Sequence, residues 1–329
     1  MAMQDWPAVL RKEYLQGFIK NGGAGVKFVV PWEYAERQTL SENLSSVSQE
    51  ESYAFAAVDA ATTKAHLVDK LFNQVARQIA WDDLAYAFLC STLLESDFLV
   101  PAERAGFSLS QIAYLNGLDV GEMRAVINNR LRDRLSWDYA MTHEFRQAML
   151  KLCQAQLDPQ DVGVGVSQAV KEWLRGELKL ISPLKSASIF QKIGRHNARD
   201  MLSSLCHWLH VTGKSGLVLA LDISRYLEDK RPDKSDKSLY YSTASVVDGY
   251  ELLRQFIDST DELQHCLIVV FAPPEFLNDE QRGVRKYDAL YLRIWDEVRD
   301  RRRVNPLASL VRFSRQEEPA TPEAVRSYL

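Results

Sequence analysis

Cysteine is scarce in this chain. There are four in 329 residues (Cys90, Cys153, Cys206 and Cys266), scattered among apolar neighbours with no CxxC pair. That argues against a zinc ribbon or a disulfide framework and for buried free thiols. Long hydrophobic runs are missing as well. None approaches the roughly 18 apolar residues of a membrane helix. The opening MAMQDWPAVLRKEYL has no apolar signal core, so a cytoplasmic protein without membrane contact is expected. Excess positive charge is also absent. The formal net charge of −4 excludes a general polyanion binder and leaves room only for a local basic patch.

What is there is a soluble globular composition, 46% hydrophobic and 26% charged, with length for one or two domains. Five short apolar runs read as buried parallel strands: VKFVV (26–30), YAFAAVD (53–59), GLVLALD (216–222), CLIVVFA (266–272) and SLVRFS (309–314). Helical stripes separate them, as in TKAHLVDKLFNQVARQIA (63–80) and VVDGYELLRQFID (246–258). Strand–helix alternation implies an α/β fold with a parallel sheet covered on both faces. Some 150 residues between the second and third runs carry no strand signal. The organisation expected is a core of 1–62 and 212–329 with a helical insertion at 63–211. The charged stretch EDKRPDKSDKSLYYS (228–242) reads as a mobile loop.

GKS at 213–215 has the form of a phosphate-loop tail, but its context is wrong. GxxxxGK[ST] must follow a strand and open a helix, so that glycine N–H groups wrap the phosphates, Lys bridges them and Ser/Thr holds magnesium. At 208–215 the chain reads WLHVTGKS, with Trp208 in place of the first glycine and a strand following. Thr212, Gly213 and Lys214 are instead expected to end a 198–211 helix. After the first strand, where a phosphate loop belongs, PWEYAERQTL puts Trp32, Arg37, Gln38 and Thr39 at the four signature positions, and only Thr39 fits. LVLALD ending at Asp222 has the form of a Walker B strand, but Ile223 follows where hydrolysing enzymes carry an acid. HWLH places His207 and His210 at i, i+3 with no carboxylate in the motif, so no metal site is expected.

FSLSQIAYLNGLDVGEMRAVINNRLRDRL (107–135) has helix-turn-helix spacing. Ala113 allows close packing, Gly117 makes the turn and Met123 is buried. Ser108 with Gln111, and Asp119 with Glu122, read as successive capping boxes. Ile112, Leu118, Val126 and Ile127 fill the apolar sites. The second helix would offer Glu122, Arg124, Ala125, Asn128 and Asn129 to solvent, with Arg130, Arg132 and Arg134 placed for phosphates. Double-stranded DNA and a protein partner both remain open as its target. RDRRR (299–303) reads as a second basic run or a solvated helix end.

Together, EYLQGFIKNGGAGVKFVV (13–30), GLVLALDISRYL (216–227), GYELLRQFIDS (249–259) and VVFAPPEFLNDEQRGVRKYDALYLRI (269–294) resemble the P-loop ATP-binding family of bacterial phage-exclusion (BREX-type) defence operons. The resemblance implies a five-stranded parallel P-loop NTPase-like sheet of the ASCE/AAA-like kind. It also implies a defence context with a DNA-acting partner such as a helicase or nuclease. Family members carry an intact phosphate loop and an Asp-Glu pair, and this chain departs from both at Trp32–Thr39 and Asp222–Ile223. At the sensor position the fourth strand offers only Ala272 and Pro273. The expectation is a degenerate, non-hydrolysing subunit with no cofactor. Two alternatives are an active ATPase, in which Lys27 or Arg37 replaces the phosphate-loop lysine and ATP and magnesium bind, and a helix-turn-helix DNA-binding regulator.

Overall fold

A computed structural model describes residues 3–31, 33, 35–157, 164–233, 235, 237–295 and 305–313. Its centre is a five-stranded, all-parallel sheet built from β1 (Ala24–Val30), β2 (Ala54–Asp59), β3 (Leu217–Asp222), β4 (Cys266–Phe271) and β5 (Leu310–Arg312), in the order β2-β3-β4-β1-β5. Each apolar run read from the sequence is one of these strands. β4 is buried at every position because it is covered on both faces, which is why CLIVVF shows no alternation. This is the parallel α/β sheet with a helical insertion that the strand pattern implied.

The two faces have separate cores. On one, Val29, Val218, Ala220, Leu267, Val269 and Phe271 pack against α1 (Trp6–Leu10), the wider-turned segment Arg11–Ile19 that continues it, and α2 (Glu36–Glu50). Leu40, Leu44 and Val47, four and three apart, are the apolar stripe of the otherwise polar α2. On the other face lie Phe28, Val30, Leu219, Leu221, Ile268 and Val270.

Seven helices fill the stretch between β2 and β3, with no strand among the described residues there: α3 (Val68–Ala76), α4 (Trp81–Leu94), α5 (Leu109–Leu115), α6 (Val120–Ser136), α7 (His143–Leu157), α8 (Val164–Leu174) and α9 (Ala198–Val211). α3 packs on β2 and on α9, while α4, α6 and α7 pack on one another. One continuous apolar cluster runs from the second sheet face through these helices, so the insertion shares its core with the sheet. α10 (Thr243–Asp258), α11 (Glu275–Asn278) and α12 (Asp288–Ile294) complete that face.

The 228–242 segment, read as a mobile loop, is anchored at its flanks. Buried Arg282 donates to the carbonyls of Tyr226 (3.1 Å) and Tyr241 (3.0 Å), Arg225 donates to Leu239 O (2.6 Å), and the Tyr241 hydroxyl reaches Ala60 O (2.8 Å). These contacts hold Tyr226, Leu239 and Tyr241, while the charged residues described between them lie outside helix and strand. Among the described residues, no helix is long and apolar enough to cross a membrane.

Candidate nucleotide site

β1 leads into α2 on one face of the sheet, whereas β3 and β4 lead into helices on the other. In open parallel sheets, ligand crevices lie where connections diverge in this way, outside the carboxyl ends of the strands. A cavity of ≈ 260 Å³ sits there, lined by Arg37, Gln38 and Ser41 of α2, Ala57 to Asp59 of β2, Ala220 and Asp222 of β3, and Phe271 of β4.

Strand register brings two carboxylates together, since Asp59 pairs with Asp222 at the ends of β2 and β3. Asp222 is committed on both oxygens. Its Oδ1 accepts from the Ser224 amide (2.9 Å) and hydroxyl (2.6 Å), and its Oδ2 accepts from Arg37 Nε at 2.5 Å. The pair is mostly enclosed, with side-chain exposures of 29% for Arg37 and 14% for Asp222. Asp59 turns one oxygen back onto the Ala61 amide at 2.7 Å. Burial pushes its carboxyl above the usual range, and the Asp222 charge adds to this. The Ala61 N–H and the Arg37 charge oppose it. A cationic guanidinium thus lies where two carboxylates converge.

The other expected site residues are dispersed. Gln38 borders the cavity and bonds Glu42 one turn on (3.1 Å). Thr39 is exposed and off the cavity wall, where Ser41 takes a place instead. Lys27 lies on the same sheet face but is held elsewhere. Its Nζ donates to Leu307 O (2.5 Å) and Ala308 O (3.2 Å) and stands 4.4 Å from the Tyr14 ring centre. Burial pulls its ammonium down to about 8. It is occupied by carbonyls beside β5 and leaves the cavity without a lysine. Trp32 and the 299–303 run lie outside the described residues.

The groups flanking Asp222 are apolar. Ile223 is fully buried, its amide bonded to Phe271 O (3.0 Å), and Ala272 is buried with its amide on Val29 O (3.0 Å). GKS closes α9 instead of cradling an anion. Gly213, at φ +88°, donates to His210 O, and Lys214 donates to Leu209 O, the paired bonds of a Schellman cap. His207 meets Asp138 at 2.8 Å while His210 stacks on His265 at 3.8 Å, so the two histidines face different partners.

In the 107–135 unit, the structure separates the candidates on α6. Asn128 Oδ1 accepts from Gln154 of α7 (2.8 Å). Arg134 donates to Thr92 Oγ1 (2.9 Å), pairs with Glu95 (3.1 Å) and lies over the Phe88 ring, which binds α6 to α4. Asn129, Arg130 and Arg132 are exposed, and Arg124 is half-buried and engaged with a neighbour. Sequence reasoning missed Asp59 and Ser41, whose roles depend on strand register and helix phase. The only sequence signal for Asp59 was its place at the end of a strand.

The family described as BREX system ATP-binding protein BrxC/D has a model that matches residues 17–320. No curated protein and no solved structure matches the chain.

Proposed function

The chain belongs to the BREX system ATP-binding protein BrxC/D family, a defence-system P-loop family, and from that premise we propose that its own nucleotide site is degenerate and non-hydrolysing. In this reading it serves a bacterial anti-phage assembly as an interaction subunit beside a DNA-acting enzyme. The observation that carries the reading is the Arg37–Asp222 ion pair. In a working site the strand-end aspartate orients magnesium and a flexible glycine loop surrounds the phosphates. Here residues 31–41 contain no glycine, and a guanidinium tethered to α2 holds the aspartate. Lys27 is bonded to carbonyls, and no acid follows Asp222.

The test is affinity purification of the tagged chain from its native host. The expected result is co-purification of further defence subunits, with ATP turnover of the assembly unchanged by Asp222→Ala. ATP turnover by the isolated chain that Asp222→Ala abolishes would refute the reading. One observation favours the active alternative. Arg37 stands at the head of α2, so a magnesium ion on Asp222 would release its guanidinium toward a phosphate. Turnover by the isolated chain distinguishes the two.

A further inference from the structure

The α5–α6 pair is built as a rigid two-helix unit. The Ser108 hydroxyl caps α5 by accepting from the Gln111 amide (3.3 Å), and the Asp119 carboxylate caps α6 by accepting from the Gly121 amide (2.7 Å). Between them Gly117 takes φ +66°, the left-handed conformation the tight turn requires. Ala113 and Met123 are buried where the helices meet, and Ile112, Ile127, Leu131 and Leu135 anchor the unit to the insertion's core. Helix-turn-helix units of this construction place their second helix in the major groove.

What α6 leaves exposed decides the partner. Glu122, Ala125, Asn129, Arg132 and Ser136 are all exposed, and at 3.6 residues per turn they fall within an arc of about 80°. Asp133 is exposed beside that stripe, and Arg130 is exposed about 80° beyond its edge. The stripe contains no large apolar side chain. A protein-binding face is enriched in aromatic residues; this stripe carries none, and the exposed Trp137 and Tyr139 meet each other edge to face past its C-terminal end. Ala125 at the middle lets the helix axis come close to a partner. Around it stand the groups that read base edges: Asn for adenine, Arg for guanine and Glu for the cytosine amino group.

We propose that residues 107–135 dock on duplex DNA with α6 in the major groove. Glu122, Asn129 and Arg132 face the base edges, and Arg130 meets a flanking phosphate. Asn128 and Arg134 are not readers, because Gln154 and the α4 surface already hold them. The nearby Glu122 and Asp133 keep the sequence-independent affinity low, consistent with a net charge of −4.

The experiment is fluorescence anisotropy of a labelled mixed-sequence duplex of about 30 base pairs with the full chain, from low to physiological salt. The wild type is expected to bind saturably at low salt. With Arg130 as the one phosphate contact, the log–log salt slope should be near −1, about −0.9 per contact. Arg130→Glu with Arg132→Glu should weaken binding at least about tenfold, since two attractive charges become repulsive. Both sites are exposed, so the melting temperature should not move. Arg134→Gln should lower the melting temperature and leave duplex affinity within about twofold in its folded fraction. The proposal is overturned if the wild type shows no saturable binding at low salt, or if the Arg130/Arg132 double variant binds as the wild type does. Duplex binding at background in both proteins, with a co-purifying protein lost only from the double variant, is the protein-interface outcome and also overturns it.

Discussion

Replacing Arg37 with alanine removes the cation from between Asp59 and Asp222. Deleting one partner of a fully buried pair costs about 3–5 kcal/mol, and of an exposed pair about 0–1 kcal/mol. The Arg37–Asp222 pair sits between these limits, at 29% and 14% side-chain exposure. Asp222 also keeps two donors, the Ser224 amide and hydroxyl. The expected loss is therefore about 1–2 kcal/mol, or a fall in melting temperature of roughly 1.5–3 °C for a chain of this size. Removing the guanidinium also leaves two adjacent carboxylates facing an ≈ 260 Å³ cavity. Magnesium or manganese should then bind where the wild type has no place for it. At ten times its dissociation constant, a cation that binds only the folded chain restores about 1.4 kcal/mol. The assay is thermal unfolding of wild type and Arg37→Ala, with and without millimolar magnesium. The expected result is a wild type indifferent to magnesium and a variant that starts lower and recovers. If the wild type responds to magnesium as strongly as the variant, or the variant loses no stability, the view of Arg37 as the occupant of the cation position is refuted.

Other expectations follow from the same contacts. Lys27 is shifted down to about 8, so from about pH 8 to 10.5 the unfolded chain binds a proton that the folded chain lacks. Stability from this group therefore rises with pH across that window, by at most about 3 kcal/mol. In urea unfolding, Lys27→Met should flatten the rise; an identical pH profile in the variant would contradict the burial argument. His210 and His265 stack at 3.8 Å, and burial lowers both pKa values; the His207 charge lowers that of His210 further, and the His210 charge that of His265. Their contribution is present above about pH 6.5 and is lost as pH falls toward their folded values. His265→Asn, which tolerates the φ of +58° there, should shallow the acid loss in a pH series of melting curves. Gly213→Ala forces a side chain into φ +88° and should cost about 1–2 kcal/mol in chemical unfolding; no loss would mean that the α9 cap is not strained by a Cβ.

The sheet was legible because its strands are covered on both faces. CLIVVF and LVLALD are continuous apolar runs that no amphipathic helix would produce, and each is a strand in the structure. The α5–α6 unit was legible because caps and a turn glycine are local signals. Ser108, Gly117 and Asp119 act within three residues of themselves. What was not legible depends on contacts distant in sequence. Arg37 and Asp222 are 185 positions apart. Nothing local to either indicates that they meet, or that Lys27 is claimed by carbonyls 280 positions away. Asn128 and Arg134 read as exposed from their polarity, although each lies seven residues from a core position, Leu135 and Ile127 respectively, at the edges of the α6 core stripe. α7 and α4 cover them only once the insertion has packed. The anchoring at the flanks of the 228–242 segment was hidden for the same reason, since Arg282 lies beyond the next strand.

The most direct test of the central claim, that Asp222 is held by Arg37 and no longer serves a nucleotide, is isothermal titration of Mg-ATP into the wild-type chain. With no glycine cradle, no phosphate-loop lysine and an aspartate already paired, no binding heat should appear below the high micromolar range. A tight, magnesium-dependent isotherm that disappears in Asp222→Ala would contradict the account.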